Sequence, residues 1–140
     1  MNYKIAFIIL HYQTLDETIK CIESIKNRID TENYEIIIVD NCSPNGSGKI
    51  LYDKYNEIER YHVLLNEKNL GFSAGNNIGF RHAKKIKCDF IAMINNDTCL
   101  ITDNFRFSFQ KAGAERSRCE AFRCCSGTHY IPYCGHLDRS

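Results

Sequence analysis

Four short apolar runs, each closed by polar residues, recur along the first 95 positions: KIAFIIL at 4–10, YEIIIVD at 34–40, YHVLLN at 61–66 and DFIAMIN at 89–95. Runs this short and this rich in isoleucine predict strands covered on both faces. Between the first two, Leu15, Ile19, Ile22, Ile25 and Ile29 recur at spacings of four, three, three and four. That is one stripe of an amphipathic helix lasting to residue 28 or 30. Thr14-Leu15-Asp16-Glu17 ahead of it has the pattern of a capping box, in which the Thr14 hydroxyl and the Glu17 carboxylate satisfy free backbone donors. A weaker helix is predicted over 49–58, after the turn-forming residues 41–48, and a third over 73–87.

Strands alternating with helices imply right-handed crossovers, hence an α/β three-layer sandwich with a mainly parallel, Rossmann-like sheet. Ligands of such sheets bind beyond the carboxyl ends of the strands, where the strand order switches. The polar closures His11-Tyr12, Asp40, 66–69 and 95–97 all fall at such ends. They are expected to line one edge.

Composition narrows the picture further. The chain has 140 residues, 44% of them apolar, with 18 basic and 17 acidic side chains and a net charge of +1. This suits one soluble domain and gives no basic surface for nucleic acid. The N-terminal MNYKIAFIILHY reads as neither a signal peptide nor a membrane span, so a cytoplasmic location is expected. Of eight cysteines, Cys21, Cys42, Cys88 and Cys99 are scattered singly and read as reduced thiols. Cys119, Cys124, Cys125 and Cys134 crowd the last 22 residues beside His129 and His136, but without the paired C-x-x-C knuckles of a zinc site.

That tail also differs in kind. Asparagine occurs 13 times up to Asn104 and never afterwards; isoleucine occurs 17 times up to Ile101 and then once. Arginine replaces lysine over the same stretch. The change divides the chain into 1–105 and an atypical Cys/Arg-rich segment, 106–140, that does not continue the domain and has the composition expected of a shifted reading frame.

Candidate chemistry sits at the strand ends. Asp40 can accept a hydrogen bond from the imide N–H of a uracil or thymine or from a ribose hydroxyl; alternatively it closes an Asx-turn. Gly71, Gly75 and Gly79 repeat every four residues, yet no G-x-G-x-x-G or P-loop pattern is present, so close helix-to-sheet approach explains them better than phosphate binding. Asn69, Asn76 and Asn77 supply donors and acceptors beside the crevice. Asp97 ends a buried run and must face water or a cation; one carboxylate suffices for Mg²⁺ when a diphosphate supplies other ligands. His11 and Tyr12 could meet a base. His62 and His82, with no acidic partner at usable spacing, read as surface or structural.

Taken together, IIIVDNCSPNGS (36–47), NEKNLGFSAGNNIGFRHA (66–83) and FIAMINNDT (90–98) resemble the donor-binding half of a family 2 glycosyltransferase with the GT-A fold. ILHYQTLDETIKCIESI (9–25) is similar to the family's start, in particular to rhamnosyltransferase-like members that read N-N-D or N-P-D in place of D-x-D. The resemblance spans 3–105, and nothing after Phe105 matches the acceptor-binding half that carries the general base. It implies a glycosyltransferase taking a sugar from a UDP- or dTDP-linked donor to a hydroxyl of a glycan or lipid-linked acceptor, in cell-surface polysaccharide synthesis, with peripheral membrane association of the full-length enzyme. It further implies that Tyr12 and Asp40 lie at the base, that Asn69, Gly71, Asn76 and Asn96 lie along the donor, and that Asp97 ligates Mg²⁺ or Mn²⁺. Asn95 stands where the first aspartate usually is.

Two other classes compete. A non-catalytic nucleotide-binding domain of flavodoxin-like architecture requires phosphate or flavin contacts after the first strand. A nucleotidyltransferase requires a Gly-rich basic loop there, and the sequence has none.

Overall fold

The computed structural model describes residues 3–29 and 32–100 in full and, beyond them, the backbone of residues 123–124 and 134–136. Its parallel strands are β1 (Ile5–His11), β2 (Tyr34–Asp40), β3 (Tyr61–Leu65) and β4 (Phe90–Asn95), joined through α1 (Leu15–Arg28), α2 (Ser47–Tyr55) and α3 (Gly71–Lys85). Short strands β5 (Thr98–Cys99), β6 (Arg123–Cys124) and β7 (Cys134–His136) complete the set. The main sheet runs β3-β2-β1-β4-β7, with β7 antiparallel to β4. From β1 the chain steps outward to β2 and β3, then returns to β4 on the other side of β1. The strand order therefore switches between β1 and β4.

Each sheet face carries its own core. Phe7, Ile9, Ile36, Ile38, Ala92 and Ile94 pack with Cys21, Ile22 and Ile25 of α1 and with Leu51 and Tyr55 of α2. Ala6, Ile8, Ile37, Val39 and Ile91 pack with Ala83, Ile78 and Phe80 of α3. Successive residues of a strand point to opposite faces, so the unbroken apolar runs are what a sheet covered on both sides requires.

α3 lies close on β1 because it presents glycine. A β-carbon on Gly79 would fall 2.5 Å from Ile8 Cγ2, and one on Gly75 would fall 2.7 Å from Leu10 Cδ1. Gly71 serves differently: it opens the helix at φ +78° with open space around it. That left-handed conformation, rather than packing, is what calls for glycine there.

Local details depart from the sequence pattern. α2 and α3 each begin two residues earlier than predicted. No side-chain bond caps α1; the Thr14 hydroxyl instead faces the Tyr12 carbonyl at 3.4 Å and accepts from Asn96. The capping box is thus absent because Thr14 is engaged across the crevice. Cys21, Cys42, Cys88 and Cys99 form no disulfide among the described residues, and burial pushes the Cys88 thiol up to about 11. The zinc reading of Cys119, Cys124, Cys125, Cys134, His129 and His136 concerns side chains outside the described residues.

Candidate functional site

The register fixes where the polar closures lie. His11 is level with Asp40 across β1 and β2, Leu10 with Asn95 across β1 and β4, and Asp40 with Leu65 across β2 and β3. All four strand ends therefore share one edge, as expected. At the switch between β1 and β4 this edge opens into a cavity of about 290 Å³ lined by Leu10, Tyr12, Phe72, Asn76, Ile94, Asn95, Asn96 and Asp97. A larger surface cleft, about 460 Å³, lies between β3 and α3 and holds none of the predicted site residues.

Tyr12, Asn76, Asn96 and Asp97 are thus brought together. Tyr12 and Phe72 flank the opening as exposed aromatics. Asn76 is 3% exposed; its amide donates to the Phe72 carbonyl at 2.9 Å while its Oδ1 has no partner among the described residues. A buried, unpaired acceptor beside a cavity is a group left for a ligand's donor. Asp97 is exposed at the turn after β4, and no hydrogen bond or ion pair engages it among the described residues. No set of three or more His, Cys, Asp or Glu side chains suited to a metal occurs among those residues. The donor set is accordingly one free carboxylate with amide oxygens, which fits a hard divalent cation only when a ligand supplies the remaining oxygens.

Asn96, expected along the donor, also holds its own turn in place. Its Nδ2 donates to Thr18 Oγ1 at 3.0 Å and to Thr14 Oγ1, which pins the turn before Asp97 to the start of α1.

Asp40, Asn69 and Gly71 stand outside the cavity lining and order the neighbouring loops. Asp40 is 5% exposed; its carboxylate accepts from the Ser43 hydroxyl at 2.5 Å and from the Ser43 amide at 3.2 Å. This is the Asx-turn weighed above. Asn69 Oδ1 accepts from the Gly71 amide at 2.8 Å and from Asn41 Nδ2 at 2.9 Å. Asn41, passed over in the sequence as a turn residue, is 4% exposed and ties three loops: its Oδ1 also accepts from the Leu70 amide at 3.0 Å and from Asn66 at 3.3 Å. The only sequence signal for it was its place directly after a strand-end aspartate.

Two histidine expectations change. His11 is a fully buried member of β1, not a crevice residue, so it cannot meet a base or a flavin. His62 does have an acidic partner: its Nε2 lies 2.8 Å from Glu35 Oε2, on the adjacent strand, and its ring meets His82 at 4.7 Å. Sequence spacing hid this pair because β2 and β3 are brought together by the sheet. Burial pushes Glu35 up, but hydrogen bonds from Lys4 and His62 outweigh it and hold the carboxyl below its usual range.

The sequence model for glycosyl transferase family 2 matches residues 6–123, a span that runs past Phe105. No curated protein matches the chain. Among solved structures, Staphylococcus aureus TarS 1–349 superposes with a TM-score of 0.67 at 19% identity, over 82% of this chain and 34% of that one. The same protein solved with UDP-GlcNAc and with UDP gives the same TM-score and identity, over 32% and 33% of its length. The chain spans about a third of the length of these structures. At that identity the likeness shows the GT-A fold.

Proposed function

Because the chain belongs to glycosyl transferase family 2, we propose that the cavity between β1 and β4 receives the diphosphate and sugar of a UDP- or dTDP-linked hexosyl donor. The observation that carries this reading is the pairing, in one cavity at the strand-order switch, of the free Asp97 carboxylate with the unpaired, buried Asn76 Oδ1. The solved TarS complexes with UDP-GlcNAc and UDP support a nucleotide-sugar donor for this fold.

In this reading Asn76 accepts from a donor hydroxyl, and Tyr12 packs on the base at the cavity mouth. Asp40 serves the base end, with Asn69 and Gly71 holding the loop alongside. Asp97 is the residue that would hold Mg²⁺ or Mn²⁺, with Asn96 orienting its turn; such a cation, when bound, offsets charge on the departing diphosphate. Transfer joins an acceptor oxygen to the anomeric carbon as the bond to the diphosphate breaks, and the acceptor's proton passes to a base. Neither that base nor an acceptor-binding surface is assigned among the described residues. The acceptor is a glycan or lipid-linked hydroxyl in cell-surface polysaccharide synthesis, at the inner face of the membrane; no helix among the described residues is long and apolar enough to cross one. Residues 106–140 are a compositionally altered segment in this reading, from which β7 joins the main sheet beside β4.

Calorimetric titration with UDP and with dTDP in the presence of Mn²⁺ tests the assignment. Wild-type protein is expected to bind, and Asp97→Ala to lose on the order of ten-fold in affinity, the scale of one charge-assisted contact. Absence of binding by the wild type, or equal binding by the variant, would overturn it.

A further inference from the structure

Beneath the floor of the site an unbroken chain of side-chain hydrogen bonds joins the Asn95-Asn96-Asp97 turn to the loop after β2, and His11 is its centre. His11 Nδ1 lies 2.7 Å from Thr18 Oγ1, and its Nε2 lies 2.7 Å from Ser47 Oγ. On one side Thr18 Oγ1 accepts from Asn96 Nδ2 at 3.0 Å. On the other, Ser47 Oγ donates to Asn45 Oδ1 at 2.6 Å, and Asn45 Nδ2 donates to the Gln13 carbonyl at 2.9 Å. His11, Thr18 and Ser47 are all buried.

For a neutral ring the proton inventory selects one tautomer. Ser47 has a single hydroxyl proton, and the short contact to Asn45 Oδ1 requires it, so Ser47 must accept from His11 Nε2–H. In a neutral ring Nδ1 is then the acceptor and takes the Thr18 hydroxyl proton at 2.7 Å, for which the Thr14 carbonyl at 2.9 Å is the competing acceptor. Thr18 is left to accept from Asn96, while the Thr14 carbonyl keeps the Thr18 amide at 3.2 Å. Every member is satisfied around a neutral ring. Burial lowers the His11 pKa in spite of Asp40 Oδ1 at 4.0 Å, in keeping with that neutral form.

We propose that His11 is a positioning residue that sets the turn carrying Asp97 and the 41–47 loop in one mutual geometry, so that the diphosphate end and the base end of the donor site are aligned together. The proposal rests on the reading of the cavity as a donor site. A residue serving only the core would stabilise the sheet without linking these loops. Here each ring nitrogen is committed to a different helix, and each helix residue to a different site loop.

Thr18→Val and Ser47→Ala remove the two hydroxyls with little change in volume, and their double variant closes a cycle. Binding of UDP with Mn²⁺ and of uridine alone is titrated for each, with thermal unfolding alongside. Thr18→Val is expected to weaken UDP with Mn²⁺ about five-fold, the ordinary consequence of deleting one buried hydrogen bond, and to leave uridine unchanged. Ser47→Ala is expected to weaken both ligands. The double variant should lose less than the product of the single losses, because either deletion already breaks the chain. His11→Asn, whose amide reaches the Nδ1 position, should retain the Thr18-dependent part; His11→Gln, reaching the Nε2 position, should retain the Ser47-dependent part. If wild type binds UDP and both hydroxyl deletions leave both affinities unaltered while lowering only the melting temperature, His11 is structural and the proposal is overturned. If the wild type binds neither ligand, the donor-site reading itself falls.

Discussion

Gly48 and Asp40 occupy one another's space: a β-carbon on Gly48 would lie 2.1 Å from Asp40 Oδ2 and 2.2 Å from its Cγ. The second residue of α2 is thus where the strand-end carboxylate comes to rest, against a helix N-terminus whose free amides favour negative charge. Asp40 is short and 5% exposed, so it cannot swing aside freely.

Alanine ordinarily stabilises a helix interior relative to glycine by about 0.5–1 kcal/mol. Gly48→Ala is expected to do the reverse, costing about 1–3 kcal/mol as an overpacked site. Urea unfolding measures the sign. Since displaced Asp40 also releases Ser43, nucleotide affinity should fall in the same variant, and a stabilised protein would refute the contact.

The glycines of α3 separate stability from binding. Gly79 faces Ile8 Cγ2, which is attached to the β-carbon of a fully buried, χ1-restricted side chain. Gly75 faces Leu10 Cδ1, the far end of a half-buried side chain that lines the cavity. Gly79→Ala is expected to destabilise by about 1–3 kcal/mol. Gly75→Ala should unfold more nearly like wild type but bind UDP more weakly, because Leu10 yields into the cavity. Equal losses of stability in the two variants would contradict this division.

How far these relationships could be read from sequence depends on what each residue touches. β1 to β4 were legible because a strand covered on both faces leaves an unbroken apolar run, and α1 because its isoleucines keep helical spacing. The common edge followed from topology alone. His11 was not legible: a histidine after KIAFIIL reads as the strand's exposed end, and only the arrival of Thr18 and Ser47 over it makes it core. Thr14 failed as a cap for a related reason, since Asn96, 82 residues away, engages its hydroxyl. Asp40 and Asn41 look alike in a turn-rich stretch; the fold distinguishes them by packing one on Gly48 and surrounding the other with loops. The His62–Glu35 pair required the β2–β3 register.

That histidine pair gives the protein an acid-sensitive face. His82 is held below its ordinary 6.5 by burial first and then by the charges of His62 and Lys85, against the opposing pull of Glu35. His11 is likewise lowered by burial. Between these depressed values and 6.5 the unfolded chain binds protons that the folded chain refuses, so stability falls as pH drops below 6.5. Glu35, lowered from 4.5, adds its own loss only at more acid pH, as pH falls through its folded value. Urea midpoints at pH 7.5 and 5.5 should therefore differ, with the lower at pH 5.5. His82→Asn should narrow the gap; an unchanged gap would mean that His82 does not contribute.

Asn95 offers a gain-of-function test of the metal reading. It lines the cavity from the end of β4, two positions before Asp97, and its amide oxygen is a neutral donor where a carboxylate would add charge. Asn95→Asp places a second hard anionic oxygen near Asp97 without changing side-chain size. Two carboxylates close together repel, which weakens the empty site, but a divalent cation between them reverses that cost. Mn²⁺ affinity, followed through the free-ion paramagnetic signal with and without UDP, should rise on the order of ten-fold, a modest fraction of the Coulomb energy of one added charge at an effective dielectric of about 20. The gain should vanish in Asn95→Asp combined with Asp97→Ala. An Asn95→Asp variant that binds Mn²⁺ no better than wild type would place the cation elsewhere than at Asp97.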